Sequence, residues 1–184
     1  MEAIKAITTR YSCRAFNDKL PSAADLDTIA KAAAASPSGM NRQHWQIIVA
    51  TNPQLVADLE AEGMKNLAAA EDKSAYDRIM SRGGKLYYNA PCMIVLAVDK
   101  AEPSYVDLGI VVENIAIAAT GLGINSLICG LAGFSFMGGK GEEFKKRLKF
   151  PEGYDMGIAV LLGYEAESGG KPHEPDLAKI TYIK

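Results

Sequence analysis

Between Leu108 and Leu122 the chain places Leu108, Val111, Val112, Ile115, Ala119 and Leu122 at helical spacing with few polar residues among them. A helix apolar over so wide an arc has to be enclosed by other layers, so this stretch predicts a central, mostly buried helix. It contains Glu113 and Asn114 and is too short to span a bilayer. Gly121-Leu122-Gly123 follows a helix instead of linking a strand to one, so it reads as a helix stop and not as a dinucleotide fingerprint.

The rest of the chain alternates in period around that helix. Cys92–Val98 is a continuous apolar run after Pro91, and Trp45–Ala50, Ile124–Cys129 and Gly157–Tyr164 are further apolar or β-rich runs; all four predict strands. Residues 2–9 predict a short helix with Ala3, Ile4 and Ile7 on one face. Ser22-x-x-Asp25 resembles a capping box opening a helix on Leu26, Ile29, Ala30 and Ala33, which Ser36-Pro37-Ser38-Gly39 stops. Asn52-Pro53 reads as N-cap and first position of a helix ending near Gly63, and Glu142–Leu148 as a short charged helix. Residues 64–88 give only Tyr76, Ile79 and Met80 at helical spacing, interrupted by Arg82-Gly83-Gly84-Lys85. The tail ends in the β-prone Ile180-Thr181-Tyr182-Ile183. No linker or repeat divides the chain, so residues 1–184 are expected to form one α/β or α+β domain.

At 184 residues, 48% apolar and 23% charged, the chain can enclose a core without staples. Its net charge of −2 lacks the basic excess of a general nucleic-acid binder. Cys13, Cys92 and Cys129 are odd in number and far apart, which indicates reduced thiols and a cytoplasmic setting and predicts no metal site. The N-terminus shows no apolar run of a signal peptide. Gly138-Gly139-Lys140-Gly141 lacks the first glycine and the Ser/Thr of a phosphate loop, and no G-x-S-x-G is present. Side chains offer no obvious nucleophile, metal set or acid–base pair, so catalysis here would fall to a bound organic cofactor.

Two segments carry polar information. In Arg10-Tyr11-Ser12-Cys13-Arg14 an extended backbone would point residues 10, 12 and 14 the same way, giving two guanidinium forks and a hydroxyl to a phosphate or carboxylate. The same spacing also fits two exposed arginines in a loop. In Ser36–Trp45 a helix-to-strand connection is rich in small polar residues and amides that can read the edge of a polar ring, or simply form a turn.

With these two segments in this order, the chain resembles the nitroreductase family of FMN-dependent oxidoreductases over nearly its whole length. The motifs are Arg10-x-Ser12-x-Arg14-x-Phe16, then Ser36-Pro37-Ser38-Gly39-Met40-Asn41-Arg42-Gln43-His44-Trp45, the Gly121-Leu122-Gly123 helix end, and Leu162-Gly163-Tyr164 followed by Lys171-Pro172-His173. His44 stands where the family has proline, and His173 where it has arginine. The resemblance implies an α+β fold, a three-layer α/β/α sandwich with a mixed, mainly antiparallel sheet, in an intertwined homodimer with FMN at the interface. It assigns Arg10, Tyr11, Ser12, Arg14, Lys171 and His173 to the phosphate, ribityl and pyrimidine edge. It assigns Pro37, Ser38, Gly39, Asn41 and Gln43 to a loop reaching in from the partner, and Ile128, Cys129, Gly130 and Leu131 to the backbone at the flavin's reactive edge. Arg10 would then sit at the phosphate and Arg14 at the ring, a separation of up to ~14 Å on extended backbone. The implied activity is ping-pong hydride transfer from NADH or NADPH to a nitroaromatic, a quinone or a similar electron-poor ring. A flavin-storing protein and a flavin-fragmenting or dehalogenating enzyme are the alternatives.

Overall fold

The computed structural model describes residues 2–184. Four strands form one antiparallel sheet in the order β1-β2-β4-β3: β1 (Trp45–Ala50), β2 (Cys92–Asp99), β3 (Asn125–Cys129) and β4 (Tyr154–Gly163). The parallel component expected of a mixed sheet is a single bridge between Ser12 and Ser126. β2 sits inside the sheet, and all but its last residue are buried. Its side chains alternate between two cores, as the two-residue period of a strand requires. Met93 and Val95 enter one; Cys92, Ile94, Leu96 and Val98 enter the other.

The second core is closed by α2 (Ala23–Ala34) and α5 (Tyr105–Gly121), through Leu26, Ile29 and Ala33 and through Leu108, Val111, Val112, Ile115 and Ala119. Helix α5 is the predicted central helix, although its outer face leaves Tyr105 and Val106 exposed. At its end Gly123 adopts φ 75°, as a helix stop requires. Gly157 of β4 lets α5 approach: a Cβ there would lie 2.6 Å from Leu108 and 2.9 Å from the Leu96 carbonyl, and Gly157 is itself the residue skipped in the pairing, since Leu96 pairs with Ile158 and Ala97 with Met156. The Ser22 hydroxyl caps α2 by accepting the Asp25 N–H at 3.1 Å.

The first core is closed by α3 (Pro53–Ala69), α4 (Ser74–Met80), the 3-10 segment Gly130–Phe136 and α6 (Gly141–Arg147). Asn52 caps α3 by accepting the Leu55 N–H at 2.9 Å. The helix does not end near Gly63, as its sequence suggests, but runs on to Ala69. Gly63 is there for close packing. A Cβ would meet Ser135 Oγ at 2.5 Å and Leu86 at 2.6 Å, so the 3-10 segment can lie against α3 only at a glycine. Residues 64–88 resolve into the end of α3, α4 and a glycine turn. The first helix, α1 (Ala3–Thr9), lies on α5.

The end of the tail is the other departure. Ile180–Ile183 pairs with no strand and stays exposed, and among the described residues the outer edge of β1 is left without a partner strand.

Candidate active site

The N-terminal segment and the start of the tail are stitched together beside β3. Cys13 N–H donates to the Ser126 carbonyl, Asn17 N–H to Tyr164, and Ala166 N–H to Ala15. Tyr11 closes the arrangement. Its hydroxyl donates to Glu165 Oε2 at 2.5 Å and accepts from Asn125 Nδ2 at 2.9 Å, while Asn125 Oδ1 accepts the Glu165 N–H at 3.0 Å. Burial, and then the Glu165 carboxylate, push the Tyr11 phenol well above its ordinary range, so it remains a neutral donor. The tail crosses directly over the Tyr11 ring at Gly170, where a Cβ would lie 1.9 Å from the ring. This crossing carries Lys171 into a cleft with Tyr11, Ser12, Cys13, Arg14 and Ala15.

A second cavity, about 290 Å³, opens on the other side of Arg14. Its floor is the end of β3 and the turn beyond it, Leu127 to Leu131, and its walls include Ile79, Leu86 and Tyr88. Gly130 is exposed, with open space where a Cβ would point. The Cys129 side chain turns the opposite way, into the first core. Burial pushes its thiol up to about 11, with the N–H groups of Ala132 and Leu131 opposing, so Cys129 offers this cavity backbone and not a nucleophile. The turn is pinned from behind. Asn66 Nδ2 donates to the Phe134 and Met137 carbonyls at 2.9 and 2.8 Å, the buried Tyr87 and Ser135 hydroxyls share a hydrogen at 2.5 Å, and Glu60 Oε1 accepts the Tyr87 N–H at 2.8 Å.

The structure therefore brings together Tyr11, Ser12, Arg14 and Lys171 in one cleft, and Arg14 with Ile128, Cys129, Gly130 and Leu131 in the other. Arg10 departs from the expected common face. Its Nε donates to Glu113 Oε1 of α5 at 3.0 Å, and it borders a separate cleft with Asn125 and Ser126, because the carboxylate on the neighbouring helix draws the guanidinium across. His173 lies on the exposed tail past the cleft. Pro37, Ser38, Gly39, Asn41 and Gln43 line neither cavity. Their loop is nevertheless well defined. Ser38 Oγ accepts the Gln43 N–H at 3.0 Å, Gln43 Nε2 donates to Asn41 Oδ1 at 2.8 Å, and Met40, Asn41 and Gln43 all hold φ between 52° and 55°. Such left-handed residues cost of order 1–3 kcal/mol each and persist where the surroundings over-determine them.

Sequence reasoning missed Asn125 and Glu165, whose roles depend on a fold that brings the two ends of the chain together. It also missed Arg78 and Arg82, although their four-residue spacing was visible. No group of three His, Cys, Asp or Glu residues that could hold a metal ion occurs among the described residues, and no helix there is long and apolar enough to cross a membrane.

Comparison with known proteins identifies the arrangement. A protein of Archaeoglobus fulgidus whose name includes the words NADH dehydrogenase/NAD(P)H nitroreductase is 30% identical over 173 residues, covering 89% of this chain and 85% of its own length. An FMN-bound nitroreductase from Desulfitobacterium hafniense DCB-2 has the same fold with a TM-score of 0.95, at 50% identity over 100% of both chains. An FMN-bound nitroreductase from Bacteroides fragilis NCTC 9343 gives a TM-score of 0.90 at 28% identity, again over 100% of both chains. The model of the nitroreductase family matches residues 7–164, and the chain belongs to that family.

Proposed function

We propose that this protein is an FMN-dependent oxidoreductase. It takes a hydride from NADH or NADPH and passes two electrons to an electron-poor acceptor such as a nitroaromatic or a quinone. It works as a homodimer in which residues 1–184 of each subunit act as one domain. The observation that carries this reading is that two clefts meet at Arg14. One is floored by open backbone at Gly130, and the other is lined by Ser12 and Lys171. A ligand with a flat ring at one end and a phosphate at the other fits such a pair. The residues present suit FMN: the glycine leaves room for a ring edge, Arg14 has no carboxylate partner among the described residues, and Lys171 is likewise unpaired. Bound FMN supplies hydride acceptance and the return of two electrons.

The chain's own residues bind and orient. Ser12 and Lys171 hold the phosphate as hydroxyl donor and cation. Arg10 is oriented by the Glu113 contact at its Nε, which leaves its outer nitrogens to donate. Arg14 places a positive charge beside the ring, where negative charge gathers on reduction. Tyr11, Asn125 and Glu165 keep the two walls of the phosphate cleft in register. The Pro37–Gln43 loop, shaped yet lining neither cleft of its own subunit, reaches a second copy. The exposed Ile4, Ile7, Tyr105 and Val106 give that copy apolar surface to cover.

The test is spectroscopic. The purified protein should carry oxidised flavin and bleach within seconds when NADH or NADPH is added without oxygen. A yellow protein that stays yellow would be a flavin holder, and one that binds no FMN would remove the proposal. A monomer at micromolar concentration with full flavin occupancy would remove the two-subunit site.

A further inference from the structure

The chain contains six arginines, and they fall into two sets. Arg10, Arg42 and Arg147 are each paired with a carboxylate: Glu113, Glu102, and Asp58 with Glu143. Arg14, Arg78 and Arg82 have no carboxylate partner among the described residues, and these three line the 290 Å³ cavity over the Cys129–Gly130 backbone. No acidic residue lines it with them. Arg78 lies in the last turn of α4, and the chain keeps turning past the helix end, with Ser81 N–H donating to Asp77 and Arg82 N–H to Ile79. Residues four apart on such a turn share a side, so Arg78 and Arg82 reach the cavity together. The remaining wall is apolar or aromatic: Ile128 and Leu131 are half-buried and present surface to the cavity, while Ile79, Leu86 and Tyr88 are buried.

Three like charges gathered on one small cavity repel one another, and in a chain of net charge −2 this cluster runs against the overall sign. An anion relieves the repulsion, and guanidinium forks match an oxyanion in shape as well as charge. Apolar walls beside the forks suit a flat ring attached to that anion. With the cofactor ring over the Gly130 floor beside Arg14, Arg78 and Arg82 on the α4 side of the same cavity are left for the molecule that meets the ring.

We infer that Arg78 and Arg82 are specificity-determining residues selecting an aromatic acceptor that carries a carboxylate. This inference rests on the proposed flavin reading and deepens it. The shared chemistry is an oxyanion next to an aromatic ring, and the phosphates of the nicotinamide dinucleotide are its other source.

The test uses the oxidised FMN-loaded protein with no donor present, titrated with benzoate and with its neutral isostere benzamide, following the flavin absorbance. Benzoate should bind about tenfold or more tighter, the worth of one charge-assisted contact. Its binding should weaken as salt rises, since the arginines are exposed. The Arg78→Gln/Arg82→Gln double variant should bring benzoate to within about twofold of benzamide while FMN affinity stays unchanged, and Arg78→Lys/Arg82→Lys should keep part of the preference. Equal binding of the two probes, or an unchanged preference in the glutamine variant, overturns the inference. Loss of FMN affinity in that variant returns the arginines to the cofactor and also overturns it. So does weaker NADPH binding with benzoate binding intact, which gives them to the donor. If the protein takes up no FMN, the flavin reading fails by itself. Benzoate and benzamide are then compared by calorimetry on the FMN-free protein, where the same preference decides the matter.

Discussion

On one face of the sheet, Cys92, Ile94, Leu96 and Val98 meet α2 and α5 through aliphatic side chains, and the polar link nearby is Asn114 to Ser36 at 2.8 Å, toward the loop. On the other face, Met93 and Val95 meet α3 and the 3-10 segment, and the aliphatic packing there is threaded with hydrogen bonds: Glu60 to Tyr87, Tyr87 to Ser135, and Asn66 to two carbonyls. Apolar packing is non-directional and stabilises a layer at small cost for sliding or repacking. Hydrogen bonds fix distance and angle. The face with the polar network is the one that presents the Cys129–Gly130 backbone to the cavity. Apolar packing stabilises both faces of the sheet, and positional accuracy is added on the face that carries the polar network.

The largest expected effect tests the apolar face. Ile115→Ala, at a fully buried position of α5, should cost about 2–5 kcal/mol in denaturant unfolding. FMN affinity and the flavin spectrum should not change. If they shift as much as in a variant of the polar face, the division of labour is wrong. Tyr87→Phe is that variant. It leaves the buried Ser135 hydroxyl without its partner and should cost about 1–3 kcal/mol. Here FMN affinity should fall together with stability, because the turn that begins at Gly130 loses a restraint.

Gly63→Ala should cost less, about 1–2 kcal/mol. Overpacking against Ser135 and Leu86 outweighs the better helix propensity of alanine. A stabilised Gly63→Ala protein would show that the 3-10 segment can move away from α3 freely. The smallest stability effect is expected for Arg14→Gln, within about 0.5 kcal/mol, since the guanidinium has no protein partner beyond a 3.3 Å contact with the Ser12 carbonyl. Its effect should appear in the flavin instead. Removing a cation beside the reduced ring lowers the midpoint potential and slows bleaching by NADH or NADPH. An unchanged potential would make Arg14 a surface residue.

Much of this was legible in the sequence because local rules govern it. Ser22 and Asn52 cap the helices they were expected to cap, and the four apolar runs are the four strands. The Gly121–Gly123 stop falls where it was placed. The end of α3 was not legible, because a glycine that breaks a helix and a glycine that admits a neighbouring segment look alike until the neighbour is known. The fate of Ile180–Ile183 was not legible either, since β propensity alone does not say whether a segment reaches a sheet edge.

For the candidate site, the sequence alone determined which residue types are available: two arginines and a serine in one short segment, a lysine after two glycines, and a polar loop before Trp45. Those choices are local, and their spacing is fixed by covalent geometry. Tertiary structure decided how they divide. It set Arg10 against Glu113 and left Arg14 open to both clefts, brought Lys171 over Tyr11 at Gly170, and placed Arg78 and Arg82 across the cavity from the β3 turn. Each of these outcomes depends on a partner tens of residues away or more, and which distant charge or ring a side chain meets is set by the packing of the layers, which no local pattern encodes.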